Sequence, residues 1–398
     1  MTRRLLAAVL AAAMMLAASP AAAEPDGTRA IWEAALAEMR AGRPRAAIPL
    51  LEGLVTAAPE AQPVRLELAL AHFRAGDDTK ARYHFTRALA GPLSEGEREA
   101  ARRHLAALEN RSAWSGGFGL AFVPQSNAGR RTGTETVRIG GLDFVLNETA
   151  EPGTGLALSA RVAWRPRLSR DLEGRFALRF AGTFYEDRRL NDQTLRGEAG
   201  LLHHLDDRLA LGGGLTAAQR WLGKPRYSRD LGAFARLVLR PDDVTRLWLR
   251  TEALRRTSAR TAALEGRIWR LTSAGERVLT PRLAVHASAF FTLTRALAPH
   301  ESGRAAGATI GVTRIFDRGW RLGLDASLAR DLREGPVPLF GRIRRDTDLR
   351  LVARVLNRRL QYRGIAPVVE LGHERRRSTL PIHTFTNNYL SLGFERSF

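Results

Sequence analysis

The sequence predicts a short helical domain followed by an antiparallel transmembrane β-barrel of about 14 strands. Three observations support this fold class. The chain opens with an apolar segment typical of exported proteins, residues 28–109 carry small and apolar side chains at helical spacing, and the residues after Gly116 alternate apolar and polar side chains. The predicted division is a signal peptide at 1–23, a helical domain at 24–112 and a barrel at 113–398.

The first 23 residues have the layout of a secretory signal peptide. Arg3 and Arg4 precede a short apolar stretch at 5–18, and three alanines at 21–23 offer a cleavage site before Glu24. The alternative is an uncleaved N-terminal anchor. Export makes nucleic acid an unexpected partner, even though the formal net charge is +21. The chain contains no Cys, which excludes disulfides and thiolate metal sites.

Residues 28–109 repeat with a spacing of 34. The letters RAG occur at 40–42 and again at 74–76, and the other matches at this spacing are Ala35 with Ala69, Leu36 with Leu70, Ala47 with Ala81 and Leu51 with Phe85. Such a period, with small residues in paired helices, is typical of tetratricopeptide (TPR) repeats, and residues 94–110 would supply a capping helix. An unrelated pair of helical hairpins is the alternative.

The first helix of each TPR repeat would line a concave groove that binds a partner. Some of its residues must instead be core, because a stack of two repeats has little else to bury. The side chains expected on this face are Trp32, Leu36, Met39, Arg40, Leu66, Leu70, Phe73 and Arg74.

From Gly116 onward the residues alternate with the period of a β-strand. In GLALSARVAWR, every second side chain from Leu156 to Trp164 is apolar. Arg161 and Arg165 occupy the alternate positions, on the opposite face of the strand. One apolar face opposite a face rich in Arg is what a lipid-facing barrel with a wet interior requires. About fourteen such segments, each of roughly 9–13 residues, have the length that a tilted membrane strand needs. A soluble antiparallel β-sandwich is the alternative.

The segments between the predicted strands alternate in length. Short polar turns at one end of the barrel would face the periplasm, and longer loops at the other end would face the cell exterior. Residues 125–153 and 331–345 are among the expected long loops. An even number of strands then leaves the helical domain and the C-terminus on the periplasmic side.

The chemistry that the inward face offers is electrostatic. No catalytic set, phosphate-binding loop or zinc spacing stands out, so neither an enzyme nor a cofactor is predicted. One interpretation is that Arg–carboxylate pairs across strands stiffen the wall, and the other is that an excess of Arg forms a cationic conduit. The charged residues expected to face the lumen are Arg161, Arg165, Arg175, Arg179, Arg196, Arg246, Arg250, Arg350, Arg354, Glu198, Glu252 and Glu370.

The last twelve residues, NNYLSLGFERSF, read as the strand that closes the barrel by pairing with the strand near Gly116. Leu390, Leu392, Phe394 and Phe398 would face the lipid of the outer membrane. A terminal Phe on such a strand resembles the signal by which the barrel assembly machinery recognises its clients.

Residues 64–97, VRLELALAHFRAGDDTKARYHFTRALAGPLSEGE, resemble the repeat of the surface lipoprotein assembly modulators, the outer-membrane components assigned to type XI secretion. Residues 122–129, FVPQSNAG, are similar to the Asn-containing turn that follows the first strand in that family. The resemblance implies a barrel that moves surface lipoproteins or soluble secreted proteins from periplasm to cell surface. It also implies that the TPR domain receives the substrate or its escorting chaperone.

Two other functions fit the same sequence features. A polysaccharide exporter also joins TPR repeats to a barrel, and an Arg-lined lumen suits an acidic polymer. An anion-selective porin needs the lumen alone, and the helical repeats would then have no obvious task.

Overall fold

The computed structural model describes residues 25–109, 113–223, 225–316, 319–357, 360 and 365–397. Five helices are followed by a closed antiparallel barrel, as the sequence predicts. The predicted signal peptide and Phe398 lie outside the described residues. No helix among the described residues has the length and apolarity that a membrane-spanning helix requires.

The N-terminal domain consists of two helical hairpins and a fifth helix. Small residues permit close packing of the hairpins, because Ala35, Ala47, Ala69 and Ala81 are all fully buried. The helices are α1 (Pro25–Arg40), α2 (Pro44–Ala57), α3 (Gln62–Ala75), α4 (Asp78–Leu89) and α5 (Glu95–Glu109).

Local sequence signals explain where these helices begin and end. Gly76 adopts a φ of 86° directly after α3, in the left-handed region that favours glycine. The backbone N–H of Ser94 donates to the Glu97 carboxylate at 2.9 Å, and the Glu97 N–H donates to the Ser94 hydroxyl at 3.3 Å. This reciprocal capping box starts α5.

The barrel contains fourteen strands of the described chain, joined in sequence order and closed by the pairing of the first with the last. The strands of the barrel are β1 (Trp114–Gln125), β4 (Gly153–Trp164), β5 (Leu172–Tyr185), β6 (Asp192–His204), β7 (Leu209–Leu222), β8 (Arg226–Asp242), β9 (Thr245–Ser258), β10 (Gly266–Thr280), β11 (Leu283–Ala296), β12 (Gly303–Ile315), β13 (Trp320–Val337), β14 (Arg342–Asn357), β15 (Ile365–Ser378) and β16 (Phe385–Ser397). A separate hairpin joins β2 (Thr136–Ile139) to β3 (Leu142–Val145).

Two of the expected long loops contain regular structure. The expected loop at 331–345 is mostly strand, because β13 continues to Val337 and β14 starts at Arg342. Beyond the membrane a strand no longer needs an apolar outer face, so these strands continue without the apolar alternation that marks a membrane strand. The loop at 125–153 contains the β2–β3 hairpin, whose turn is formed by Gly140 and Gly141 with φ values of 58° and 88°.

The final strand closes the barrel against β1, which confirms the pairing predicted for the C-terminus. Leu120 lies opposite Phe394, and Phe122 lies opposite Leu392. Leu392 and Phe394 project from the outer face, where about half of each side chain is exposed. We call the β1–β16 junction the seam. Its ladder runs from Gly117 to Phe122, is interrupted at residues 123–124, and resumes at Gln125, because Pro124 has no N–H to donate.

Glycines form a sharp corner of the wall at β6–β9. A Cβ added to Gly232 would overlap the carbonyl oxygen of Ala253 on β9, and one added to Gly214 would overlap that of Ala199 on β6. Neighbouring strands therefore approach closer than a side chain would allow. The cluster of glycines at 212–214 belongs to the same corner, since a Cβ added to Gly212 would also overlap backbone, at the carbonyl oxygen of Leu201.

We expect Gly232→Ala to weaken the barrel strongly, because its Cβ would meet backbone that cannot move without opening the ladder. The measurement is the temperature at which the folded band disappears on unheated gels. Gly197→Ala is the matched control on β6, since the nearest atom to its Cβ is Leu178 Cδ1 at 3.9 Å. Equal heat resistance of the two variants would contradict the close approach of neighbouring strands at Gly232.

Candidate transport lumen and helical groove

The charged residues predicted to face the lumen lie on the inner face of the barrel strands, with one exception. Leu247 and Leu249 on β9 are exposed on the outer face, and Arg246 and Arg250 alternate with them. Arg165 lies one residue beyond the end of β4, in the turn that leads to β5, so it belongs to the rim rather than to the strand wall. Its backbone N–H donates to the carbonyl of Ala113 at 2.6 Å.

Five charged side chains form a network across the β6–β9 corner, and we call them the corner cluster. The cluster consists of Arg196 and Glu198 on β6, Arg250 and Glu252 on β9, and Arg270 on β10. Arg250 bonds Glu198 at 3.2 Å and Glu252 at 2.8 Å, and Arg196 bonds both carboxylates as well. Because β6 and β9 are three strands apart in the ladder, these side chains can meet only inside the barrel.

Glu252 is the centre of the corner cluster. Its side chain is only 4% exposed and accepts from Arg196, Arg250 and Arg270. The side chains between β6 and β9 are small, with Thr216 on β7 and Gly232 on β8 at the level of Glu198. The sharp corner and the small intervening residues together allow ionic contact between the two strands. For these residues the geometry supports the interpretation in which ion pairs stiffen the wall.

A second network follows the seam, and we call it the seam cluster. It consists of Arg350 and Arg354 on β14, Glu370 and Glu374 on β15, and Tyr389 on β16. Arg350 donates to the Tyr389 hydroxyl at 2.8 Å, and that hydroxyl donates to Glu370 at 2.9 Å. Arg354 bonds Glu370 at 3.3 Å. These contacts tie the last three strands together on their inner face.

Buried amides hold the seam beyond the interruption at Pro124. The Asn127 N–H donates to the side-chain oxygen of Asn387 at 3.0 Å, and the Asn387 amide donates to Gln125 at 2.9 Å. Asn127 is 1% exposed and Asn387 is fully buried. Sequence patterns alone do not mark this site, although Asn127 lies in the segment FVPQSNAG. The available signal is the pair Asn387 and Asn388 near the start of the last strand, whose partner only the closed barrel reveals.

Two of the predicted lumen residues oppose each other directly. The register pairs Arg161 of β4 with Arg179 of β5, and Arg179 in turn lies opposite Arg196 of β6. Like charges at opposed positions repel each other. The row formed by Arg161 and Arg179 therefore favours an anion or water beside it. Among the described residues Arg179 makes no ion pair, whereas Arg175 bonds Glu173 at 3.2 Å. This row is the part of the wall that fits a cationic conduit.

Open space remains inside the barrel. A cavity of about 600 Å³ lies between Arg321, Asp325 and Glu395, and a cavity of about 1300 Å³ lies at the end of the barrel near Arg130 and Arg220. Both are lined mainly by polar side chains. In the part of the chain that the structure describes, no group of three or more His, Asp or Glu side chains could hold a metal ion.

The predicted helical groove is mostly packed. Met39 is buried in the core of the first hairpin, and Trp32 and Leu70 pack against that core. Leu66 and Phe73 pack against the second core. Leu36 is half-buried, and Arg40 and Arg74 are exposed. Met39 is therefore core rather than groove, because a stack of two repeats buries its first helices as well.

The capping helix covers part of the same face. The His104 ring on α5 lies 5.0 Å from the Phe73 ring and 5.3 Å from the Phe85 ring. Burial, together with the charges of Arg103 and Arg74, lowers the pKa of His104 below its usual range. A neutral imidazole can pack against these aromatic rings, so α5 seals the second repeat. The exposed arginines Arg40 and Arg74 are the groove residues that remain accessible.

Comparison with known proteins gives one family match. A family model described as surface lipoprotein assembly modifier matches residues 114–398. Among curated proteins no sequence match was found.

Several solved outer-membrane channels are similar to the barrel. The channel DcaP of Acinetobacter baumannii has a TM-score of 0.44 at 8% identity, covering 72% of this chain and 96% of its own. The toluene transporter TodX of P. putida has a TM-score of 0.40 at 10% identity, covering 71% and 90%. An anion-selective porin from Comamonas acidovorans has a TM-score of 0.38 at 8% identity, covering 72% and 98%. Likenesses this distant carry no argument about the chain.

We expect Glu252→Ala to destabilise the barrel by on the order of 2 kcal/mol, because three guanidinium groups would lose their shared buried carboxylate. Tryptophan fluorescence during urea unfolding in lipid vesicles measures the change. Glu395→Ala is the matched control, since its contact with Arg354 is 3.6 Å long and half-exposed. The control should change the free energy of unfolding by less than about 0.5 kcal/mol. Equal effects would show that the corner cluster is dispensable.

Proposed function

The chain belongs to the surface lipoprotein assembly modifier family, and on that premise we propose that it exports specific proteins from the periplasm to the cell surface. The family match and the closed barrel together support an outer-membrane β-barrel protein with a transport role. The proposed cargo is a surface lipoprotein or a soluble secreted protein, by a type XI route. The observation that carries this proposal is the family match, which spans every strand of the barrel.

The helical domain, which we propose to be TPR-like and periplasmic, would engage the substrate or its chaperone. Two features support this role. The helices contact the barrel at turns on the end where the chain enters β1, and Arg40 and Arg74 leave a cationic, exposed edge on the first helix of each hairpin. A segment with acidic side chains would complement that edge.

Assembly of the protein would use the closing strand. Leu390, Leu392, Phe394 and Phe398 form the signal that we expect the barrel assembly machinery to recognise after cleavage of the signal peptide. We propose no catalytic role for any residue.

The row formed by Arg161 and Arg179 favours a second candidate function, conduction of anions. The opposed guanidinium groups lower the electrostatic cost of an anion in the lumen and raise that of a cation. Small anions or an anionic polysaccharide would both benefit. This candidate leaves the helical domain without a task, which is why protein export is preferred.

We expect deletion of the gene to leave a co-encoded surface lipoprotein inside the cell, and expression of the wild-type chain to restore its exposure. Antibody labelling of intact cells, normalised to the total amount of that lipoprotein, is the measurement. Unchanged labelling in the deletion strain would refute protein export.

In the same assay we expect Arg40→Glu with Arg74→Glu to reduce export, because reversed charges would repel the acidic segment. Both side chains are exposed, so the core is preserved, whereas Phe73→Ala would also disturb the packing of α5. Arg45→Glu, an exposed change on α2, is the matched control. Export at the wild-type level in the double variant would remove the groove from the mechanism.

We expect Arg161→Glu with Arg179→Glu to shift ion selectivity toward cations. The reversal potential across a planar bilayer with a salt gradient measures the shift. Arg208→Glu in the β6–β7 turn is the control, since it reverses one charge of the same kind outside the lumen wall. An identical reversal potential for wild type and double variant would exclude this row as a selectivity element.

A further inference from the structure

The helical domain is fixed to the barrel at two places on the same mouth. One is covalent, because α5 ends at Glu109 and β1 begins at Trp114. The other consists of contacts with two turns, β8–β9 at residues 243–244 and β10–β11 at residues 281–282. We call the end of the barrel that carries these turns the N-terminal mouth.

Arg87 of α4 makes the most buried of these contacts. Its guanidinium donates to the carbonyl of Pro281 at 3.1 Å and to that of Thr280 at 3.4 Å, and its side chain lies against the Tyr83 ring. Arg87 is only 3% exposed. A cation this deeply buried needs the two carbonyls of the turn as partners, so its position depends on the docked arrangement.

Two ion pairs and one apolar contact flank Arg87. Arg102 of α5 bonds Asp243 at 2.9 Å, and Glu60, between α2 and α3, bonds Arg282 at 2.9 Å. Between these pairs, Val244 packs against the second helical core. The contacts therefore come from the α2–α3 connection, α4 and α5, and they reach two neighbouring turns of the barrel. Exposed ion pairs of this kind are individually weak and exchange readily with water.

The contacted turns lie opposite the covalent attachment. Counting strands around the barrel from the seam, seven strands are passed in either direction before the junction between β9 and β10 is reached. The β8–β9 and β10–β11 turns lie on the two sides of that junction. With strands about 4.8 Å apart and tilted by about 40°, a barrel of this size is roughly 28 Å across. The distance from Arg102 to the start of β1 at Trp114 has an upper limit of about 28 Å, given by a helix as far as Glu109 and a fully extended chain from there. The helical domain must therefore span the mouth.

We propose that the helical domain is a movable cover of the N-terminal mouth, held shut by a clasp and attached permanently at β1. The clasp consists of Arg87, Arg102 and Glu60 on the helical side, and of residues 243–244 and 280–282 on the barrel side. One buried cation and two weak ion pairs close the cover without making the closure irreversible. Release of the clasp would let the helical domain move off the mouth while it stays covalently attached to β1.

The cover would regulate the export proposed above, and to that extent the inference rests on the proposed function. A folded or partly folded polypeptide cannot pass while the helices span the mouth. Binding of cargo to the helical domain would then be coupled to opening, provided that the bound cargo favours the released state. Small ions can pass around a cover, so conduction tests the clasp separately from export.

Cross-linking the clasp tests whether it must open. The chain contains no Cys, so Arg102→Cys with Asp243→Cys introduces a unique pair, which a bismaleimide with a cleavable disulfide spacer can join. We expect cross-linked cells to lose surface exposure of the cargo to the level of the deletion strain, and reduction of the spacer to restore it. The same variant treated with a monofunctional maleimide should export normally. Export by the cross-linked protein at the monofunctional level would overturn the proposal.

Ion conduction provides the measurement that does not depend on export. We expect Arg87→Ala with Arg102→Ala to raise the mean conductance in planar bilayers, and the cross-link to keep conductance low. Arg103→Ala on the same helix removes one charge without touching the clasp. If conductance responds as expected but export is absent in every variant, the cover is retained and the proposed function fails. If the clasp variant conducts like Arg103→Ala, the cover is refuted whatever the cargo.

Discussion

A strand inside lipid has no water to bond its backbone, and this constraint governs the barrel. Every N–H and C=O must find a partner on a neighbouring strand, so the sheet has to close. Closure occurs at the seam, where the ladder of β1 and β16 is broken by Pro124. Asn127 and Asn387 supply buried side-chain hydrogen bonds beyond the break. Beyond the break, these side-chain amides reinforce the backbone bond from the Ser126 N–H to the Asn388 carbonyl.

The same constraint confines charge to the interior. Because the outer face must be apolar, the arginines that give the chain its net charge of +21 are concentrated in the lumen, the rims and the loops. Their surroundings differ. At the glycine corner, β6 and β9 approach closely enough for Arg196 and Arg250 to pair with Glu198 and Glu252. On β4 and β5, Arg161 and Arg179 lie at directly opposed positions and form a cationic row.

The helical domain depends on a different constraint, the close packing of its helices. Two hairpins cannot bury enough apolar area unless the helices approach closely, and the fully buried alanines permit that approach. The cost is that most of the expected groove becomes core, Met39 above all. What remains for partners is the exposed, charged edge at Arg40 and Arg74, on a domain that Arg87 and Arg102 fix to the barrel turns.

The sequence by itself predicted a short helical domain, a closed barrel of about fourteen strands with alternating faces, and the closing role of the last strand. These features follow from local periodicity and from the requirement that lipid-facing positions be apolar. Only the tertiary structure decided which arginines are neutralised, where the seam amides meet and where the helices dock. Those contacts join residues such as Arg196 with Glu252 and Arg87 with Pro281. Their distance depends on barrel curvature and closure, which the spacing of residues along the chain does not encode.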